Sequence, residues 1–261
     1  MRIIFVRHGE PDYSSDSLTE KGKKEALLLA KRAKEWEIKD VYVSPFGRAI
    51  ETLEPTLKEL NLEAETLPWL REYSYQVFNP ILDRKSCPWD FIPSQLYENP
   101  DMISMDKWMT VKPNDSNPEV LDNYERVING LDGLIDKYGY ERCGNFYKRK
   151  DGRERYMKST VKDMKFATVD DYPEDDSEPT ILIVCHFGII CLMLSHLLNI
   201  PFELLTHGFI LPTSSVTIVN TEERWKDEVS FRVQVMGDCT HLLSHGEKIS
   251  NAGSFARLFQ K

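Results

Sequence analysis

The sequence predicts an α/β fold: a three-layer sandwich with a mainly parallel central sheet and helices on both faces. Three observations carry that expectation. Residues 3–6 (Ile-Ile-Phe-Val), 41–43 (Val-Tyr-Val) and 181–185 (Ile-Leu-Ile-Val-Cys) are short apolar runs rich in β-branched residues, as central strands buried on both faces are. Each run is followed by a stretch with helical spacing. Strands and helices therefore alternate along the chain, which builds a parallel sheet with helices packed on either side.

The elements follow in order. Residues 3–6 end in Arg7-His8-Gly9-Glu10, polar residues where a strand runs out into a loop. Thr19 can cap the next segment, and the Leu, Ala and Trp positions of 26–36 continue it as an amphipathic helix. The second strand, 41–43, is followed by Ser44-Pro45 and a helix to about residue 60. Between 118 and 138, Val120, Tyr124, Val127, Leu131, Leu134 and Tyr138 recur at three and four, one face of a helix stopped at Gly139. A buried strand at 181–185 leads into a helix at 189–198, and 216–219 and 231–235 read as late strands.

Two segments fit this alternation poorly and are expected as insertions in a single domain spanning 1–261. The first, 73–117, is rich in Pro, Trp and Tyr. The second, about 140–178, contains a basic stretch at 142–165 with nine Lys or Arg against three acids, a local charge of +6. Asp151-Gly152 reads there as a hairpin turn, and six carboxylates follow between residues 170 and 178. Neighbouring blocks of opposite sign read most simply as a self-neutralising solvated surface.

Composition bounds the function. The chain has 261 residues, 41% of them apolar, enough to bury a sizeable core. Its net charge of −9 argues against general nucleic-acid affinity, because phosphate backbones repel acidic faces. Five scattered cysteines, with no C-x-x-C pair, read as reduced thiols of a cytoplasmic protein. The four apolar residues before Arg7 are too few for a signal-peptide core. Residues 181–200 approach the length of a membrane span, but His186, Gly188, Ser195, His196 and Asn199 interrupt them, and strand, turn and helix is the better reading. No membrane association is expected.

The chemistry-bearing residues lie at strand ends. Arg7 and His8 follow the first strand, His186 follows the strand at 181–185, and Arg48 follows the second strand near a helix N-terminus. Open α/β sheets bind ligands at such edges. Arginine forks and helix amides suit a phosphoryl dianion, and a neutral imidazole can attack phosphorus.

This ordered set resembles the histidine phosphatase, or phosphoglycerate mutase-like, superfamily. The matching residues are Arg7-His8-Gly9-Glu10, Leu18-Thr19-x-x-Gly22, Ser44-Pro45-x-x-Arg48-Ala49-x-Glu51-Thr52, Leu70-x-Glu72 and His186-x-Gly188. The resemblance implies a metal-independent phosphomonoester hydrolase with no cofactor, acting on a small-molecule phosphate ester. His8 would be the nucleophile, and Arg7, Arg48 and His186 would hold the phosphoryl oxygens. Glu72 would protonate the leaving group and then activate water. The implied substrate-binding set is Arg7, Gly9, Ser14, Arg48, His186, Phe187 and Gly188, with Ser14 where many relatives carry an Asn. The sequence is compatible with a homodimer and carries no signal that fixes oligomeric state.

Two departures separate branches of the family. The mutases carry a basic residue and a Tyr-Gly step soon after the glutamate, whereas this chain runs Glu72-Tyr-Ser-Tyr-Gln-Val-Phe. Acid phosphatases and phytases place His-Asp or His-Ala-Glu at the later histidine, and here it is His186-Phe187. A phosphomutase is the alternative activity, and a non-catalytic phosphate-binding protein the remaining one. Trp89, Phe91, Tyr97 and Trp108 of the first insertion are expected either to wall the pocket or to form a satellite core. Cys185 reads as a buried small hydrophobe, with a redox-sensitive thiol as the competing reading.

Overall fold

A computed structural model describes residues 1–150, 178–225 and 228–260. The chain opens with β1 (Arg2–Arg7), a short ladder of β2 (Pro11–Asp12) and β3 (Ser17–Leu18), α1 (Glu20–Ala33), β4 (Ile38–Val43), α2 (Gly47–Leu60) and β5 (Ala64–Thr66). The segment 73–117 contributes the hairpin β6 (Val77–Asn79) and β7 (Arg84–Ser86), helix α3 (Pro93–Tyr97) and several 3₁₀ turns. It leads into α4 (Glu119–Asp136) and a second hairpin, β8 (Tyr140–Cys143) and β9 (Phe146–Arg149). The chain then forms β10 (Thr180–Cys185), α5 (Phe187–Leu198), α6 (Phe202–Gly208), β11 (Val216–Trp225), β12 (Glu228–Asp238) and α7 (Thr240–Leu243).

The main sheet has eight strands in the order β5-β4-β10-β1-β11-β12-β9-β8. The α/β class stands as the sequence predicts, but the sheet is mixed. Pairing is parallel from β5 to β1 and antiparallel from β1 to β8. Connection length accounts for two of the four antiparallel pairs. Parallel neighbours need helical crossovers, whereas β8–β9 and β11–β12 follow one another through short links that allow only antiparallel pairing. The added strands β8 and β9, and the edge strand β5, lie in segments whose hydrophobic pattern does not announce them.

Alternation along β1 assigns its two faces. Ile3 and Phe5 join a core with Val127 and Leu131 of α4 and Ile189 and Leu192 of α5. Ile4 and Val6 point the other way, into a core with Leu29 of α1 and Ala49 and Leu53 of α2. Helices therefore cover both faces. Residues 181–200 divide into strand β10 and helix α5, and no helix among the described residues is long and apolar enough to cross a membrane.

The segment 73–117 sends its buried aromatic and aliphatic side chains into the main core. Trp108 and Phe91 are buried with α4 and α5, Tyr97 stands on the surface, and only Trp89 reaches the strand-end pocket described below. In the second insertion, the chain turns at Gly144 (φ 61°), between β8 and β9. The turn expected at Asp151-Gly152 lies outside the described residues, as do the rest of the basic stretch and the acidic run up to residue 177.

Candidate active site

Register brings three strand ends to one line. Arg7 of β1 pairs with Cys185 of β10, and Val184 pairs with Val43 of β4. The next residues, His8, His186 and Ser44, therefore emerge side by side at the carboxyl edge of the parallel half, where ligands bind in open α/β sheets. The rings of His8 and His186 lie 5.1 Å apart. Arg7 and Arg48 act on both imidazoles and on Glu72, so all five groups share one electrostatic neighbourhood.

His8 is buried, and its Nδ1 lies 2.7 Å from the carbonyl oxygen of Gly9. A carbonyl can only accept, so Nδ1 carries the proton and Nε2 presents a lone pair. Burial, then Arg7, holds the His8 pKa down to about 3, which keeps the ring neutral at pH 7. His186 is also buried, and burial and then the neighbouring His8 push its pKa well below the ordinary value. Its Nε2 meets Ser44 Oγ at 2.7 Å, and Ser44 Oγ accepts from the Phe46 amide at 3.4 Å. Either atom of this Ser44–His186 pair can be the donor, and the buried Nδ1 of His186 has no protein partner.

The two arginines are held by one side and open on another. Arg7 donates from Nη1 to the Leu211 carbonyl at 2.7 Å and lies over Phe187 at 5.6 Å, while its buried Nε is unpartnered. Burial lowers its pKa, opposed first by Glu72. Arg48, at the second position of α2, pairs with Asp16 and is sandwiched by Phe46 at 4.7 Å and Tyr13 at 5.5 Å. Its Nε too is buried without a partner.

Glu72 is anchored at the N-terminus of α5. Its Oε1 accepts from the amides of Tyr73 at 2.9 Å and Ile189 at 3.1 Å. Burial raises its pKa, opposed first by Arg7 and then by those amides. Gly188 is small because the space beside it is filled. An added Cβ would lie 2.6 Å from Trp89 Cζ3 and 2.9 Å from Glu72 Oε1. The indole edge and the carboxyl oxygen therefore flank the same point, and Trp89 packs edge-on against Phe187 at 5.6 Å.

The remaining motif residues build this frame. The Gly9 amide donates to Thr52 Oγ1 at 2.8 Å, so that group is committed to protein. Glu51 accepts from the Leu18 amide, and Thr19 caps α1 by accepting from the Gly22 amide. Gly22 lets α1 start against the backbone of Glu10, whose carbonyl oxygen would lie 2.3 Å from an added Cβ. Ser14 is exposed, and its hydroxyl donates to Asp12 at 2.6 Å. Cys185 is fully buried with its thiol pKa pushed well up, so it is a packing residue and not a reactive thiolate.

Sequence reasoning missed four contributors. Ser44 and Thr52 stand inside a quoted motif, yet only the fold shows one orienting His186 and the other fixing Gly9. Tyr13 and Asp16 come from the β2–β3 loop and converge on Arg48, a contact that no local pattern encodes. Among the described residues, no group of three or more His, Cys, Asp or Glu side chains could hold a metal ion.

Two buried imidazoles and two arginines meet at the parallel carboxyl edge of a mixed α/β sheet, an arrangement whose chemistry suits a phosphoryl dianion. The histidine phosphatase superfamily (branch 1) matches residues 3–142 of the sequence, and the chain belongs to that family. Solved structures with the same fold include a mycobacterial glucosyl-3-phosphoglycerate phosphatase, 16% identical, covering 90% of this chain and 98% of that one with a TM-score of 0.54. A phosphoserine phosphatase mutant from Entamoeba histolytica is also 16% identical, covering 92% and 98% with a TM-score of 0.56. The alpha-ribazole phosphatase of Shigella flexneri is 18% identical, covering 91% and 96% with a TM-score of 0.51. No curated protein sequence matches the chain.

Proposed function

We propose that the chain is a phosphomonoester hydrolase working through a phosphohistidine on His8. The observation that carries this reading is the ring of unpartnered nitrogens: Arg7 Nε, Arg48 Nε and His186 Nδ1, all buried beside a neutral His8. Buried donors without acceptors are costly, and a phosphoryl dianion would satisfy them together. Membership of the family and the phosphatase names of its structural neighbours support the same reading.

The reaction follows from the geometry. Arg7, Arg48 and His186 hold the non-bridging oxygens and offset the charge that develops in line. Nε2 of His8 forms the N–P bond as the ester P–O bond breaks. The departing oxygen takes the proton from Glu72, whose raised pKa favours the protonated form. Glu72 then takes a proton from water as its oxygen attacks phosphorus and the N–P bond breaks, releasing phosphate and returning His8 to its neutral state. Two guanidinium groups supply the positive charge, so the cycle runs without a metal. The leaving group departs beside Glu72 and hence against Trp89, which suits a small organic ester.

The test is phosphate release from a panel of phosphomonoesters without added metal, with His8→Ala as control. Release that vanishes in the variant, with an unchanged fold, is expected. Release undiminished in His8→Ala, or isomerisation of phosphoglycerates without release, would overturn the assignment.

A further inference from the structure

The last residues of the chain close into a loop beside the site. Ile249 donates its amide to Gln260 Oε1 at 2.8 Å, and Gln260 Nε2 donates to the Ile249 carbonyl at 3.0 Å. Within the loop, the Leu258 amide donates to Asn251 Oδ1 at 3.1 Å. Its base is tied to α1, where Lys21 pairs with Glu247 at 2.6 Å and also donates to the Lys248 carbonyl. Ser250, itself buried, donates from Oγ to Glu10 Oε2, while Glu10 Oε1 accepts from Thr19 at 2.9 Å. Glu10, the last residue of the Arg-His-Gly-Glu motif, thus joins the start of α1 to the C-terminal loop.

That loop approaches Arg7 at Gly253. Gly253 adopts φ 73°, a left-handed conformation that costs other residues free energy. An added Cβ there would lie 3.0 Å from Arg7 Nη2. The Arg7 guanidinium therefore rests between the Leu211 carbonyl on Nη1 and the bare backbone of Gly253 beside Nη2.

We propose that the loop 249–260 is a working wall of the phosphate pocket, in which Gly253 is a positioning residue for Arg7 and the Glu10–Ser250 hydrogen bond holds the wall in place. The inference rests on the assignment of Arg7 to the phosphoryl group made above. A side chain at 253 would shift the guanidinium by a few tenths of an ångström and so weaken its hold on the phosphoryl oxygen, and loss of the Ser250 hydroxyl would let the wall drift. Both act through Arg7 and leave His8 and Glu72 untouched.

The experiment measures kcat, KM for 4-nitrophenyl phosphate, the inhibition constant of orthovanadate and the melting temperature for the full chain, Gly253→Ala and Ser250→Ala. Inhibition by vanadate does not depend on the fraction of protein that is active, so a merely structural defect would leave it unchanged. Gly253→Ala is expected to raise KM and the vanadate constant roughly tenfold, the worth of one charge-assisted hydrogen bond. Ser250→Ala is expected to raise both about threefold. Values within twofold of the unaltered protein in Ser250→Ala and in any folded Gly253→Ala would overturn the wall while leaving the phosphatase intact. If the unaltered protein neither releases phosphate nor binds vanadate, the assignment of Arg7 falls and the wall with it.

Discussion

The Nδ1 of His8 lies 2.7 Å from the carbonyl oxygen of Gly9, its immediate neighbour in the chain. This local contact fixes the tautomer, and burial beside Arg7 and Arg48 keeps the ring neutral. In the proposed mechanism the attacking nitrogen is therefore Nε2. Phosphoenzyme trapped by an alkaline quench should carry phosphorus on Nε2 of His8, read by NMR of the isolated peptide. Phosphorus on Nδ1 would contradict the tautomer.

Glu72 is held by two amides and has a raised pKa, the arrangement of a proton donor. Its importance should scale with the basicity of the leaving oxygen. Glu72→Gln should slow hydrolysis of alkyl phosphates by about 10²–10⁴-fold, the usual contribution of general acid–base catalysis. Release of 4-nitrophenolate needs little protonation and should slow by less than about tenfold while formation of the phosphohistidine limits the rate. Equal slowing of both substrates would remove Glu72 from the acid role.

The parallel half of the fold and the strand-end residues were legible because each depends on local pattern. An apolar β-branched run, a polar exit and a helical period place Arg7, His8, Arg48 and His186 without knowledge of the rest. The antiparallel half was less legible. The pairing of β9 with β12 joins Tyr147 to Val229, 82 residues apart in the chain, and no local period specifies it. The same limit hid Tyr13, Asp16 and Gly253, whose roles arise from contacts between distant loops and the two arginines. The aromatic insertion shows the ambiguity at its sharpest. Trp89 and Trp108 are equivalent as residue types, yet one flanks Glu72 and the other is buried at 1% exposure.

Trp89 is half-buried, and its ring edge and Glu72 Oε1 both crowd the space beside Gly188. Trp89→Leu should therefore act on the leaving group. An aryl phosphate should lose roughly tenfold in kcat/KM, about 1.4 kcal/mol, within the range of aromatic contacts. Glycerol phosphate should change by less than about threefold. Equal losses on both esters would show that Trp89 supports the fold and not the substrate.

Stability should carry a pH signature from Glu203, which lies in α6 with no exposed surface. The Tyr75 hydroxyl donates to Oε1 at 3.3 Å, but burial raises the carboxyl pKa to about 8, outweighing Tyr75, Asn114 and Thr206, which all favour the carboxylate. The unfolded chain releases this proton near pH 4.3, while the native state keeps it until about pH 8. Native stability therefore falls as pH rises through that window, by about 1.4 kcal/mol per pH unit. Buried His8 and His241, with pKa values of about 3 and about 4, act in the opposite direction. Their unfolded counterparts take up protons below about pH 6.5, so their stabilising effect is complete above it and lost on acidification. Glu25, raised to about 7, shares the sign of Glu203 but is largely exhausted above that pH. Between pH 7 and 8 Glu203 should dominate. Glu203→Gln keeps the shape and removes the proton, so its stability relative to the unaltered protein should improve by about 1 kcal/mol from pH 7 to 8 in urea unfolding. Parallel pH profiles for the two proteins would show that Glu203 is ionised in the native state at neutral pH.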